Sequence, residues 1–186
     1  DMVPHKKGRL ISDILVLKKH MILFTKESAD TRVSVFDYES GRIDPVEFPE
    51  SLGDADGGEN YEFDASTVQL SFSSPIRPHT VYDYDIESKE LTVRKVDKIP
   101  SGFDSADFHC ERRFAIAKDG VKIPISVFSH KSVGTSDPAP LYLYGYGSYG
   151  YGLEPSFVRN WVVLARRGFR VAVAHIRGGD DCGREW

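Results

Sequence analysis

The chain has 186 residues, 40% apolar and 28% charged, with a net charge of −4. That composition suits a globular protein able to bury a core. The acidic balance argues against a partner such as nucleic acid, which needs a basic face to neutralise its phosphates. No apolar run reaches the length that crosses a bilayer, since residues 14–17 and 21–24 are interrupted by Lys18, Lys19 and His20, so no membrane partner is expected. Residues 1–7 have no secretory apolar region behind them. Cys110 and Cys182 are too few for a disulfide framework and form no zinc pattern. They fit a reducing, cytoplasmic setting, and no cofactor or metal is implied.

Residues 1 to about 100 read as short strands. Residues 12–17 and 20–27 are rich in Ile, Leu, Val and Phe, and residues 31–38 alternate, with Val33 and Val35 on one face and Arg32 and Ser34 on the other. A turn at 39–42 is followed by residues 43–48, which Pro45 and Pro49 demote to an edge. Residues 51–58, rich in Gly and Asp, predict a flexible loop. The pattern then recurs: Val33, Asp37, Glu39 and Ser40 match Val81, Asp85, Glu87 and Ser88 at an offset of 48 (87 − 39). A four-stranded antiparallel blade has about that length, so two successive β-propeller blades are expected. Tyr38, Tyr82 and Tyr84 read as blade-face packing residues, and Asp54, Asp56 and Glu59 as solvated loop charges.

From about residue 105 the pattern changes. Residues 111–118 and 121–129 are two strands joined at Asp119-Gly120, a dipeptide suited to a tight hairpin. A polar loop, 131–140, leads to the short apolar run 141–144 and a Gly/Tyr cluster. Pro155 is suited to an early helical position, Phe157, Trp161, Val162, Leu164 and Ala165 supply an apolar helix face, and Gly168 a stop. Residues 169–176 form an apolar strand. A strand–helix–strand unit requires a parallel pair, so this half reads as the opening of an α/β domain.

The motif Tyr144-Gly-Tyr-Gly-Ser-Tyr-Gly150, followed by a helix and then by Ala174-His-Ile-Arg-Gly-Gly179 and Gly183-Arg-Glu-Trp186, resembles the prolyl oligopeptidase family of serine peptidases. Ser148-Tyr149, residues 101–106 and residues 117–124 are similar to its oligopeptidase B branch. Asp180-Asp181-Cys182 departs from the branch pattern. The resemblance implies the C-terminal part of a seven-bladed β-propeller over residues 1–104. It implies the N-terminal part of an α/β-hydrolase domain over residues 105–186. It also implies hydrolysis of short peptides after Arg or Lys. Prolyl specificity on the same scaffold and a non-catalytic propeller-type binding module are the alternatives.

An α/β-hydrolase carries its nucleophile in a Gly-x-Ser-x-Gly elbow, followed along the chain by the acid and the histidine. No serine here has glycine two residues away on both sides. The Ser-Asp-His triad is therefore expected beyond Trp186, and the chain is expected to be an internal, inactive piece that self-associates through exposed sheet edges. The resemblance makes Tyr146 the oxyanion-hole donor and puts Tyr149 at the substrate pocket. His175, on an apolar strand, reads as a structural, hydrogen-bonded histidine. Arg177 and Arg184 read as loop-ordering residues paired with carboxylates such as Asp180 or Glu185.

Overall fold

The computed structural model describes residues 2–134 and 136–186. Among the described residues, twelve strands form three four-stranded sheets. The first is an antiparallel meander of β1 (Arg9–Val16), β2 (His20–Glu27), β3 (Asp30–Asp37) and β4 (Ile43–Pro45). The second repeats it with β5 (Asp54–Gly57), β6 (Thr67–Ser74), β7 (Arg77–Asp85) and β8 (Leu91–Val96).

The repeat in the sequence is a repeat in hydrogen bonding. Asp37 Oδ1 accepts from the Ser40 amide at 2.7 Å, and Asp85 Oδ1 accepts from the Ser88 amide at 2.8 Å. Gly41 and Lys89, the next residue of each turn, both take positive φ, 71° and 61°. Each aspartate thus closes the turn out of its sheet's third strand, as an Asx side chain does when it substitutes for a backbone acceptor.

The two sheets pack face to face. Ile22, Phe24, Val33 and Val35 of the first meet Val68, Leu70, Phe72, Tyr82 and Tyr84 of the second in one buried cluster. Each fully buried side chain of this kind contributes roughly 1.5–3 kcal/mol. Tyr82 and Tyr84 are buried as expected, whereas Tyr38 is half-exposed beside the Phe36 ring.

Residues 51–58 are not a flexible loop: they contain β5, the edge strand that opens the second sheet. Ala55 is buried opposite Phe72, and a side chain at Gly53 would strike the Phe72 ring. Asp and Gly disfavour strands locally, but the free edge of β6 supplies backbone partners that override that preference. Asp54 is likewise no solvated loop charge. It is half-buried on β5 and accepts a 2.7 Å hydrogen bond from Thr31 Oγ1. Asp56 and Glu59 are exposed.

The third sheet is mixed. β9 (Phe108–Ile116) and β10 (Lys122–His130) form the expected hairpin, with Gly120 at φ 85° in its turn. β11 (Leu141–Gly145) pairs parallel with β12 (Arg170–Ala174), and β12 lies antiparallel to β10. The order is β11-β12-β10-β9.

Helix α1 (Arg159–Arg166) crosses between the parallel strands and packs on β10 and β12. Val162 and Ala165 meet Phe108, Phe128 and Val171 in a second core. Gly168, φ 87°, ends the helix by donating to the Ala165 carbonyl. Pro155 is not in the first turn. It is fully buried in the approach to α1, where the Phe157 amide donates to Ser73 Oγ of the second sheet. No helix among the described residues is long and apolar enough to cross a membrane.

Candidate active-site loop

Tyr146 and Tyr149 lie in the loop that leaves the C-terminal end of β11. In sheets with parallel strands, that end is where ligands bind, since the crossover connections leave a crevice there. Tyr146 is 40% exposed and Tyr149 93%. Tyr149 adopts φ 60°, a left-handed conformation unusual for a tyrosine. Strain of this kind persists where surrounding contacts impose it. Here the Gly150 amide donates to the Gly178 carbonyl at 2.9 Å, and Tyr151 closes back onto Ser148.

The loop rests on the segment following β12, and glycines make that approach possible. A Cβ on Gly147 would lie 2.9 Å from the carbonyls of Ile176 and Arg177. A Cβ on Gly178 would lie 2.3 Å from the Gly147 oxygen. Two backbones in direct contact leave Tyr146 little freedom to shift relative to the sheet.

Asp180-Asp181-Cys182, the departure noted in the sequence, anchors the next turn of the loop. Asp180 Oδ1 accepts from the Gly152 amide and Asp181 Oδ1 from the Leu153 amide, both at 3.1 Å. Lys26 of β2 neutralises this acidic turn, reaching Glu154 at 2.8 Å and Asp180 at 3.2 Å. Burial pulls the Lys26 ammonium pKa down, but the hydrogen bonds and charges of Glu154 and Asp180 outweigh it and hold the pKa above the usual lysine value. Arg177 pairs with Asp119 in the β9–β10 turn rather than with Asp180, and Glu185 pairs with Lys7. These arginine and glutamate partners are distant in sequence, so local spacing could not identify them.

His175, one residue beyond β12, is completely buried. Its Nε2 lies 2.7 Å from Ser126 Oγ and its Nδ1 3.2 Å from Asp181 Oδ1. The contacts follow the order of a Ser–His–Asp hydrolase, but the environment does not. Ser126 and Asp181 are each 3% exposed, and Arg112 already donates to the serine oxygen at 2.8 Å. A nucleophile needs an open approach for the carbonyl carbon it attacks, so this line is structural. His175 is a structural histidine, as its apolar strand implied, whereas nothing in the local sequence of Ser126 and Arg112 distinguishes them from ordinary strand residues. Neither cysteine offers an alternative nucleophile. Burial pushes the thiol of Cys110 up to about 12 and that of Cys182 to about 11, which keeps both protonated at neutral pH.

A family model described as the prolyl oligopeptidase N-terminal β-propeller domain matches residues 1–97. Protease 2 of Moraxella lacunata is 25% identical over 186 residues, covering 100% of this chain and 27% of that protein. Oligopeptidase B of Trypanosoma brucei, solved in a closed form with covalently bound antipain, superposes with a TM-score of 0.89 at 34% identity, over 100% of this chain and 27% of that one. Oligopeptidase B of Leishmania major gives 0.88 at 33% identity, again over 100% and 27%. The chain thus spans about a quarter of the length of these relatives. With that propeller-domain model covering more than half of it, the chain belongs to the prolyl oligopeptidase family.

Proposed function

We propose that this chain is part of a serine oligopeptidase that hydrolyses short peptides after Arg or Lys. Residues 1–104 are the last blades of its propeller, and residues 105–186 open its α/β-hydrolase domain. The Ser-Asp-His triad lies beyond residue 186, and Tyr146 supplies the oxyanion donor. One observation carries the reading: Tyr146 stands half-exposed at the C-terminal end of a parallel strand pair, on a loop pinned by the Gly147–Gly178 approach.

A phenol held there donates its O–H to the oxygen that gains charge when the scissile carbonyl becomes tetrahedral. Because the donor is already oriented, little reorganisation opposes the transition state. Tyr149, at the exposed tip of the same loop, lines the substrate side. Specificity for basic residues is supported by the Ser148-Tyr149 form of the motif and by the likeness to two oligopeptidase B structures.

β11 is exposed along its whole length, with Leu141 and Leu143 each 59% exposed. That apolar edge drives self-association of the 186-residue chain made alone.

The test is hydrolysis of Arg-linked and Pro-linked chromogenic peptides by the full-length protein and its Tyr146→Phe variant. Cleavage after Arg is expected, with kcat reduced about 10²–10³-fold by the substitution and KM little changed. Cleavage after Pro alone would refute the specificity, and an unchanged kcat would refute the role of Tyr146.

A further inference from the structure

The turn between β2 and β3 is two residues long. Ser28 and Ala29 both have positive φ, 53° and 65°, between the paired Glu27 and Asp30. This is type I′ geometry, for which Asn and Gly are the favoured residues. Two ordinary residues hold it here, and the contacts made by the turn show what the shape achieves. Ala29 is buried; its amide donates to the Asp181 carbonyl at 2.8 Å, and its own carbonyl accepts from Arg112 Nη2 at 3.1 Å. Arg112 also ion-pairs with Asp30 and, through Nη1, donates to Ser126 Oγ. From Ser126 the contacts run to His175, then to Asp181, and from Asp181 Oδ1 to the Leu153 amide.

The guanidinium fixes the direction of its own hydrogen bonds. A guanidinium has donors only, so Ser126 Oγ accepts from Arg112 Nη1, and the same oxygen lies within hydrogen-bond distance of His175 Nε2. The imidazole bridges Ser126 and Asp181 through its two ring nitrogens. Asp30, Ser126, His175 and Asp181 are all less than a tenth exposed, so water does not readily replace a lost partner. Asp181 Oδ2 has no protein partner among the described residues, and the carboxylate is held through Oδ1. Lys26, one turn-length earlier on β2, grips the same segment through Glu154 and Asp180.

We propose that the first blade, through Asp30 and the line Arg112–Ser126–His175–Asp181, is a positioning element for the Tyr146 loop. Breaking the line at the blade end loosens the anchored amides of Gly152 and Leu153, and with them the segment that sets Tyr146. The catalytic consequence rests on the reading of Tyr146 given above; the coupling of blade to loop does not.

The test uses the full-length protein with Asp30→Asn, Ser126→Ala, the conservative Asp30→Glu, and the double variant Asp30→Asn with Arg112→Gln. Amide hydrogen exchange is followed over residues 145–153, and kcat and KM are measured on an Arg-linked chromogenic peptide. Asp30→Asn and Ser126→Ala are each expected to speed exchange of the Gly150, Gly152 and Leu153 amides about tenfold. In both, kcat should fall about tenfold or more, with KM held within about twofold. Asp30→Glu should recover part of both effects, and the double variant should add little to Asp30→Asn because both cut one line. Unchanged exchange in Asp30→Asn and Ser126→Ala would overturn the coupling, and raised exchange with unchanged kcat would overturn its catalytic consequence. A wild-type protein that cleaves no peptide would refute the peptidase reading alone, and the exchange measurement would still decide the coupling.

Discussion

Gly178→Ala places a methyl group where the loop and the sheet end meet. The new Cβ would stand 2.3 Å from the Gly147 carbonyl oxygen, against 3.4 Å or more for an ordinary contact. The two backbones must therefore separate by about 1 Å. Gly178 also has φ 102°, a conformation that costs a residue with a side chain about 1–3 kcal/mol. Gly147 is the neighbour of Tyr146, so the displacement is passed directly to the proposed oxyanion donor. A misplacement of about 1 Å at a reacting centre costs about 10²-fold in rate. The assay is kcat and KM of the full-length protein on an Arg-linked peptide, beside thermal melting. Gly41→Ala is the control. Gly41 too has positive φ, 71°, but nothing lies within 4 Å of its added Cβ, so it should lower stability without lowering kcat. A Gly178→Ala protein that folds and keeps kcat within about threefold would refute the placement of Tyr146 by this contact.

Leu70, fully buried between the first two sheets, should cost about 2–5 kcal/mol when cut to alanine, measured by urea unfolding; a loss below about 1 kcal/mol would mean that the core between the sheets collapses around the gap. Burial pushes the Asp54 carboxyl up to about 6, with Thr31 pulling against it. Its folded pKa lies above its unfolded one, so the native state holds the proton between about pH 4 and 6 after the unfolded chain has lost it. Stability should therefore fall across that window as pH rises, by on the order of 1–2 kcal/mol, and Asp54→Asn should flatten the slope. Asp37 and Asp85 behave in the opposite sense. The Ser40 hydroxyl and amide hold the Asp37 carboxyl below its ordinary range, and the Ser88 amide and hydroxyl do the same for Asp85. Their contribution is present above the unfolded pKa and fades as pH falls through the folded value, so a carbon-detected NMR titration should find both shifted down.

The amino-acid sequence by itself determined the features that arise within a few residues of one another. Alternation placed β3, and the offset of 48 related Asp37 and Ser40 to Asp85 and Ser88, whose turns close in the same way. Asp119-Gly120 located a hairpin, Gly168 a helix end, and the strand–helix–strand order a parallel pair. Each signal is local: a period, a turn residue or a cap acts on its own neighbours.

The tertiary structure decided what required distant partners. β5 is a strand because β6 offers it an edge, against the preference of its own Asp and Gly residues. Pro155 is buried upstream of α1, although its sequence position also suited the first helical turn. Most of all, the line Asp30–Arg112–Ser126–His175–Asp181 joins residues up to 151 positions apart (181 − 30). Its members are common residue types on separate strands, and only burial, which removes water as a competing partner, turns them into one connected network.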